Sequence, residues 1–484
     1  IALRATFLEA HFNRGNVKLE IKRLDEALES YEQAIALKPD FADAFNNRGF
    51  VLQEMRHFKE ALESYQRAFE VDPDGEFLFG NLLNAKMKIC DWSRLEENLD
   101  NLKKRIESGK KTTTPFSALS LLDIPSVQLK ASEIYVEAKY ASVNPKKNTT
   151  RKNPGKTRIG YYSADFHDHA TSYLVAELFE SHDRSKFEIF GFSFGPCKGI
   201  EMRERIISGF DDFFDVTKKT DRQVANFSRE LGVDIAVDLK GYTLDSRPGI
   251  FAERCAPIQV NYLGYPGTMG APFIDYIIAD KVLIPEENRK HYSEKIIYMP
   301  NSYQVNDSRR RISEKPFNKG ELGLPTEAFV FCCFNNNYKI LPAAFDSWMR
   351  TLDAVQGSVL WLLEDNSTAA VNLRKEAEKR GICSERLIFA KRMPLPEHLA
   401  RHRLADLFLD TWPYNAHTTA SDAIWAGLPL ITLIGQSFAS RVAASLLHAI
   451  GLPDLITRSQ QEYEAIAVEL ARNPERLSEI MSRL

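Results

Sequence analysis

The first hundred residues repeat themselves, and this limits the fold more than any other feature of the chain. Gly15, Leu24, Ala27, Leu28, Ser30, Tyr31, Ala34 and Pro39 recur as Gly49, Phe58, Ala61, Leu62, Ser64, Tyr65, Ala68 and Pro73, each at an offset of 34. Small and apolar residues at helical spacing, closed by a proline, predict a unit of two helices. One such unit cannot bury its apolar face alone and must stack on a neighbour. Asn13, Asn47 and Asn81 keep the same spacing, and a degenerate third unit from about Asn81 to Lys104 is expected to cap the stack. These asparagines are candidate acceptor ligands, able to hold an extended peptide backbone; the alternative is a set of polar positions between stacked helices.

The pattern resembles the tetratricopeptide repeat. Two good repeats are few for a free-standing solenoid, so more are expected upstream of Ile1, which is not a methionine start. Asp72-Pro73-Asp74 has the DxD form of some metal-using sugar transferases, but it falls in the turn between units and reads as that turn. Residues 108–116, SGKKTTTPF, are turn formers and mark a boundary. A short helical stretch follows, then the basic run Lys146 to Arg158, read as a solvated linker. The repeats are assigned to 1–107 and the linker with its helical segment to 108–156.

From Thr157 the period changes. Short apolar runs alternate with helical patterns: Arg158–Ser163, Phe187–Phe194, Ile235–Leu239, Gln259–Tyr262 and Tyr276–Ala279, then Val330–Phe334, Ser358–Leu363, Leu387–Phe389, Leu407–Asp410 and Leu430–Thr432. That alternation predicts two parallel sheets, each covered by helices on both faces. The charged stretch Arg309–Lys315 is expected to cross between them. The predicted fold is therefore α + α/β: repeat helices, a first Rossmann-like lobe over 157–315 and a second over 316–484. Ligands bind such lobes at the carboxyl ends of the strands, here in the cleft between them.

Bulk properties exclude several classes. A formal net charge of −3 argues against a dedicated nucleic-acid binder. The six cysteines form no CxxC pair, so neither a zinc site nor a disulfide framework is expected, and a reducing, cytoplasmic setting fits. No apolar run of about 20 residues predicts a membrane span. No GxxxxGK[ST], GxGxxG or HExxH motif is present.

The most telling stretch runs from Asp406 to Asp422. An apolar strand breaks at Pro413 and Asn415, then re-enters a helix through Thr418, Thr419 and Ser421. Such a helix start offers free N–H groups and hydroxyls to a phosphate. His417 stands before that seat and Asp422 one turn in. Four more loops follow predicted strands: Ser163 to His169, Gly241-Tyr242-Thr243, Leu263 to Thr268 and Asn335 to Lys339. Lys339 could neutralise a departing diphosphate, or simply begin a helix in solvent. Gly264 and Gly267 could admit backbone close to a sugar, or only make a tight turn. His169 could hydrogen-bond a ligand near the reacting carbon, His398 could stack on a base, and Arg441 could reach a phosphate or pair with an acid. Without a metal motif, leaving-group charge would be met by Lys339, helix-end N–H groups and hydroxyls.

At these residues the chain resembles the protein O-GlcNAc transferase family. The resemblance rests on ADFxxHxTSYL, GYT, APIQxxxLGYPGT, DYIIxD, YSEKIxYMP, FNNxYKI, SVLWLL, LADLFLDT, HTT, WAGxPxxT and ASRVAAS after the repeats, and covers about Ile159 to the C-terminus. It implies two lobes of the GT-B kind and inverting, metal- and cofactor-independent transfer of GlcNAc from UDP-GlcNAc to Ser/Thr hydroxyls of intracellular proteins, which the repeats would present. By motif, His169 matches the family's active-site histidine and Lys339 its diphosphate lysine. His417, Thr418 and Thr419 match the sugar- and phosphate-binding HTT, Asp422 the ribose ligand, and His398 and Arg401 the uridine pocket. Gly264 to Thr268, including Pro266 and Gly267, match the glycine-rich sugar loop. Asn336 stands where the animal enzyme has Gln, Leu395 where it has a uridine-side Lys, Tyr414 where it has a small residue beside the N-acetyl pocket, and Asp234 where it has a histidine. The family's closing helix would lie beyond Leu484. The catalytic base stays open among a donor phosphate oxygen, His169 and a water relay. The alternatives are transfer of fucose or another sugar on the same fold, since plant-type O-fucosyltransferases also have a Tyr at the position of Tyr414, and a repeat scaffold with weak chemistry.

Overall fold

The computed structural model describes residues 7–141, 143, 155–197 and 199–484. Leu8–Glu20 pairs with Leu24–Leu37, Ala42–Glu54 with Phe58–Val71, and Leu78–Lys88 lies before Leu95–Glu107. The recurring glycine marks the crossing point within each repeat. A Cβ on Gly15 would lie 2.5 Å from the Tyr31 ring, and one on Gly49 2.9 Å from that of Tyr65. In the third pair Gly80 meets Thr113 instead of a tyrosine, with a Cβ only 2.1 Å from its Oγ1. There Gly80 N–H donates to the Thr112 carbonyl at 2.9 Å. The third unit departs from the repeat because it packs on the following segment instead of another helix pair.

That following segment is more than a tether. Helices Pro115–Leu121 and Pro125–Tyr140 wedge against both lobes. Ser132 Oγ donates to the Thr268 carbonyl at 3.0 Å, and the Asp123 carboxylate accepts from the N–H groups of Gln436 and Ser437, each at 2.8 Å. Buried side chains of the last two repeat units, these helices and one face of the first sheet form one continuous core. Of the basic run, residues 146–154 lie outside the described residues.

The two lobes are α/β, as predicted. The first sheet holds β1 (Thr157–Ser163), β2 (Phe187–Ser193), β3 (Asp212–Asp215), β4 (Ile235–Asp238), β5 (Ile258–Asn261), β6 (Tyr276–Ala279) and β7 (Lys295–Tyr298), in the order β3-β2-β1-β4-β5-β6-β7. The second holds β8 (Val330–Cys333), β9 (Val359–Leu363), β10 (Leu387–Ala390), β11 (Leu407–Leu409), β12 (Leu430–Leu433) and β13 (Ile456–Thr457), in the order β10-β9-β8-β11-β12-β13. Every pairing is parallel. Strand order reverses beside β1 in one lobe and beside β8 in the other, which opens a crevice at the carboxyl ends of β1, β4, β8 and β11. The strands missed from sequence, β3, β7 and β13, all lie at sheet edges. An edge strand is short and half-wet, so it lacks the continuous apolar run of a buried one.

The segment around Arg309 crosses between lobes as predicted: Arg309 pairs with Glu180 of the first, and Arg310 with Asp422 of the second. The repeats are tied across the cleft as well. Lys22 pairs with Asp245 of the first lobe at 2.5 Å, and Arg56 with Asp365 of the second at 3.0 Å.

Candidate active site

One cavity of about 900 Å³ lies between the lobes, with the repeats as a further wall. His169, Gly264, Asn336, Lys339, His398, Arg401, His417, Thr418, Thr419, Asp422 and Asn81 all line it. His169 and Asp422, about 250 apart in sequence, meet there because the lobe residues follow strands, at the end of a sheet where the crevice opens, while Asn81 comes from the repeat helix Leu78–Lys88.

Lys339 follows β8 in a short 3-10 turn, Asn337–Lys339, and is only 7% exposed, so the reading as a solvated helix-start lysine is set aside. Its Nζ donates to the Asn415 carbonyl at 2.8 Å and lies 3.9 Å from the centroid of the Tyr414 ring. Burial pulls its pKa below the ordinary lysine range, while the Asp410 carboxylate opposes that pull. Asp410 is itself pushed up by burial, yet it accepts from Thr411 N–H at 2.7 Å, Ala416 N–H at 2.6 Å and Thr432 Oγ1 at 2.6 Å. These donors and the neighbouring ammonium favour the carboxylate and oppose that rise.

Helix Thr418–Trp425 points its N-terminus at this ammonium's neighbourhood through His417, its N-cap. His417 Nε2 lies 3.1 Å from the Ala439 carbonyl, which requires a proton on Nε2. Burial drives the ring's pKa well below its ordinary value, with Lys339 adding to the effect, so the imidazole is neutral. Thr419 Oγ1 donates to Asn335 Oδ1 and so fixes the first turn against the β8 loop. One buried cation and a helix N-terminus on the same cavity wall make an anion seat.

Beside it, Phe334 carries the Arg401 guanidinium 4.6 Å from its centroid, and the His398 and His402 rings meet its edge at 5.3 and 5.1 Å. His398 is held down to about 2 and His402 to about 4, in both cases chiefly by burial, so both rings are neutral. An aromatic slot of neutral rings and one guanidinium next to an anion seat suits a nucleoside diphosphate. Asp422, 5% exposed, accepts from Arg310 Nη1 at 2.6 Å, and burial raises its pKa to about 6 against the pull of that arginine.

On the first lobe, His169 caps helix Ala170–Glu180, its Nδ1 accepting from Thr171 N–H at 3.1 Å. Asp165 and Lys240 also line the cavity, joined by contacts of 2.8 and 2.9 Å from Lys240 Nζ to the two carboxylate oxygens.

Other predicted residues lie elsewhere. Pro266, Gly267 and Thr268 do not line the cavity. Thr268 Oγ1 donates to Glu294 at 2.6 Å, and a Cβ on Gly267 would lie 2.8 Å from Leu119, so this half of the loop serves packing against the Pro115–Tyr140 helices. Asn13 and Asn47 are outside the cavity too. Asn47 Nδ2 donates to Asn16 Oδ1 at 2.9 Å, and Asn81 Nδ2 to Asn46 Oδ1 at 3.1 Å, so both amides also lock neighbouring repeats together. Arg441 bonds the carbonyls of Val282 and Gly435, each at 2.6 Å, joining the lobes instead of reaching a phosphate or an acid. The Asp234 carboxylate receives Arg158 N–H at 2.9 Å at the start of β1. Sequence reasoning missed Asp165, Lys240, Lys88 and the Thr114–Ser117 wall; Asp165 and Lys240 stood inside or beside motifs already noted. Among the described residues no group of three or more His, Cys, Asp or Glu is placed to hold a metal ion, and no helix is long and apolar enough to cross a membrane.

Comparison with known proteins follows the same lines. The sequence profile of glycosyl transferase family 41 matches residues 127–316 and 317–484, and tetratricopeptide repeat profiles match 15–55 and 42–74. A probable UDP-N-acetylglucosamine–peptide N-acetylglucosaminyltransferase of Arabidopsis thaliana, SEC, is 38% identical over 336 residues, 68% of this chain and 34% of that protein. The UDP-N-acetylglucosamine–peptide N-acetylglucosaminyltransferase of Caenorhabditis elegans is 28% identical over 532 residues, covering 82% of this chain and 45% of its own length. The chain thus spans less than half the length of these two relatives. A solved mutant of the Thermobaculum terrenum O-GlcNAc transferase superposes with a TM-score of 0.81 at 26% identity, covering 98% of this chain and 92% of the other.

Proposed function

The chain belongs to glycosyl transferase family 41, and we propose that it moves GlcNAc from UDP-GlcNAc to Ser and Thr hydroxyls of proteins, without a metal and in the cytoplasm. The observation that carries this reading is the cavity in which an anion seat, an aromatic slot and the inner wall of the repeats meet. The uracil ring occupies the slot of Phe334, His398 and Arg401, and Asp422 takes a ribose hydroxyl. The diphosphate rests on Lys339 and the N–H groups of Thr418 and Thr419. The sugar then lies toward His169, Gly264 and Tyr414.

A hydroxyl arriving along the repeats attacks the anomeric carbon from the face opposite the phosphate. The new C–O bond forms as the bond to the β-phosphate oxygen breaks, through an oxocarbenium-like state. Charge grows on that oxygen, where Lys339 and the helix N-terminus already wait, so little reorganisation is needed. Fixing both partners in line supplies further acceleration. Asn81 and Lys88 on the repeat wall are placed to meet the acceptor chain.

The test is intact-mass detection of one added N-acetylhexosamine on a Ser/Thr-rich acceptor, alongside calorimetric titration with UDP and a chelator control. No product and no UDP binding at millimolar concentration would end the reading, and loss of transfer on chelation would end its metal-free part. One observation favours a second donor. The Tyr414 ring is buried over Lys339 and 4.8 Å from His417, which narrows the space for substituents on the sugar. A panel of UDP-GlcNAc, UDP-glucose and GDP-fucose against one acceptor decides between them.

A further inference from the structure

Resting on the transferase reading for its substrates, we infer that Lys240 and Asp165 are positioning residues that hold His169 as a neutral ring protonated at Nε2, so that it meets ligands as a hydrogen-bond donor. The geometry is specific. His169 Nδ1 accepts Thr171 N–H at 3.1 Å, and an accepting nitrogen carries a lone pair, not a proton. In a neutral ring the proton must then sit on Nε2. Yet Asp165 Oδ2 lies 3.4 Å from the same Nδ1. A free carboxylate there would draw a proton onto Nδ1, break the helix cap and make Nε2 a base. Lys240 prevents this. Its Nζ sits 2.9 and 2.8 Å from the two oxygens of Asp165, and both side chains are nearly buried. The carboxylate's charge is spent on the ammonium and little remains for the imidazole.

The charged and titratable groups acting on the ring are Asp165 and His167 from its own loop and Lys240 from the loop after β4. The helix carrying Asp422, which is paired to Arg310, packs against the helix His169 caps. Burial is the largest influence and lowers the ring's pKa; Asp165 raises it, and Lys240 and His167 lower it. The balance agrees with a neutral ring.

The consequence is chemical. An Nε2–H cannot take a proton from an attacking hydroxyl, but it can hold the acceptor or sugar oxygen in line. The proton of the acceptor must therefore leave by another route than His169.

Histidine nitrogens can be read directly by ¹⁵N NMR on protein with labelled histidine, the His169→Gln spectrum identifying the resonances. At pH 7 the wild type is expected to show the Nε2–H tautomer without any ligand. A ring protonated at Nδ1, or a cation, would overturn the inference. In Lys240→Met the ring should gain a proton at Nδ1, and the acid limb of kcat/KM should move up by about one pH unit. The double variant Lys240→Met with Asp165→Asn removes both charges and should return the limb and the tautomer to their wild-type positions, which loss of packing alone would not do. An unmoved tautomer in a folded Lys240→Met protein would overturn it as well. The spectra need neither donor nor acceptor. A protein without transferase activity would sink the proposed function and leave this result readable.

Discussion

Replacing Lys339 by Met removes the charge of the anion seat while keeping most of the stem's volume beside Tyr414. In the free protein Nζ makes a 2.8 Å bond to the Asn415 carbonyl and sits 3.9 Å from the Tyr414 centroid, so the ammonium is held in place before any donor arrives. Losing one preorganised group aimed at developing charge costs about 3–4 kcal/mol of transition-state stabilisation, or roughly 100- to 1,000-fold in kcat. The fold should tolerate the change. Asp410 keeps its bonds from Thr411 N–H, Ala416 N–H and Thr432 Oγ1, and the Asn415 carbonyl loses one donor, worth about 1 kcal/mol. The assay is steady-state transfer to a peptide, with UDP affinity by calorimetry and Tm by scanning fluorimetry. A second signature is alkaline. Burial lowers the pKa of Lys339, so its charge, and with it the wild-type rate, should fall away below the usual lysine range of about 10.4 as pH rises. The Met variant should lack that limb. A folded variant that keeps kcat within tenfold, with the alkaline limb intact, would refute the role given to this lysine.

Three further changes test other parts of the structure. Gly15→Ala places a Cβ 2.5 Å from the buried Tyr31 ring, an overpacking cost of about 1–3 kcal/mol that should exceed the helix-propensity gain of about 1 kcal/mol; a raised Tm would contradict it. Arg310→Met strips the partner from buried Asp422 and should cost about 3–5 kcal/mol and weaken UDP binding. Because the folded pKa of Asp422 is already raised to about 6, that loss should be larger at pH 8 than at pH 5, where protonation relieves it; thermal melts at both values decide. His402 is held at about 4 in the folded protein against about 6.5 unfolded, so below pH 6.5 the unfolded chain takes up a proton that the folded ring refuses, and stability falls with falling pH. In His402→Asn the slope of unfolding free energy between pH 6 and 4.5, from urea titrations, should shrink by about one proton; an equal slope would place the sensitivity elsewhere.

The inner strands of both sheets were legible because burial on two faces demands unbroken apolar runs, as in Val330–Cys333 and Val359–Leu363. The edges escaped for the opposite reason. Lys295–Tyr298 alternates exposed and half-buried positions, and Ile456–Thr457 is only two residues long. Site residues were legible where several polar groups cluster after one strand, as at His417 to Asp422. They were not legible where the cavity borrows a wall from far away in sequence. Nothing local marks Phe116, whose ring meets Tyr338 and Tyr414 edge-on at 5.9 and 6.2 Å, as part of a site formed by loops 200 to 300 residues further on. The glycine-rich loop was ambiguous because glycine serves two needs. A Cβ on Gly264 would sit 1.9 Å from the Leu239 carbonyl oxygen, and Gly267 is pressed on Leu119, so both are needed for close packing whether or not a sugar is near.

The repeats do not hang from the catalytic lobes as a free arm; they are laced to both sides of the opening, at Lys22 with Asp245 and at Arg56 with Asp365. A bridge anchored on both banks leaves passage beneath it for something thin. Acceptors should therefore enter as slack tails or pulled-out loops, threaded singly, and a compact domain carrying the same serine on a rigid surface should be turned away at the mouth.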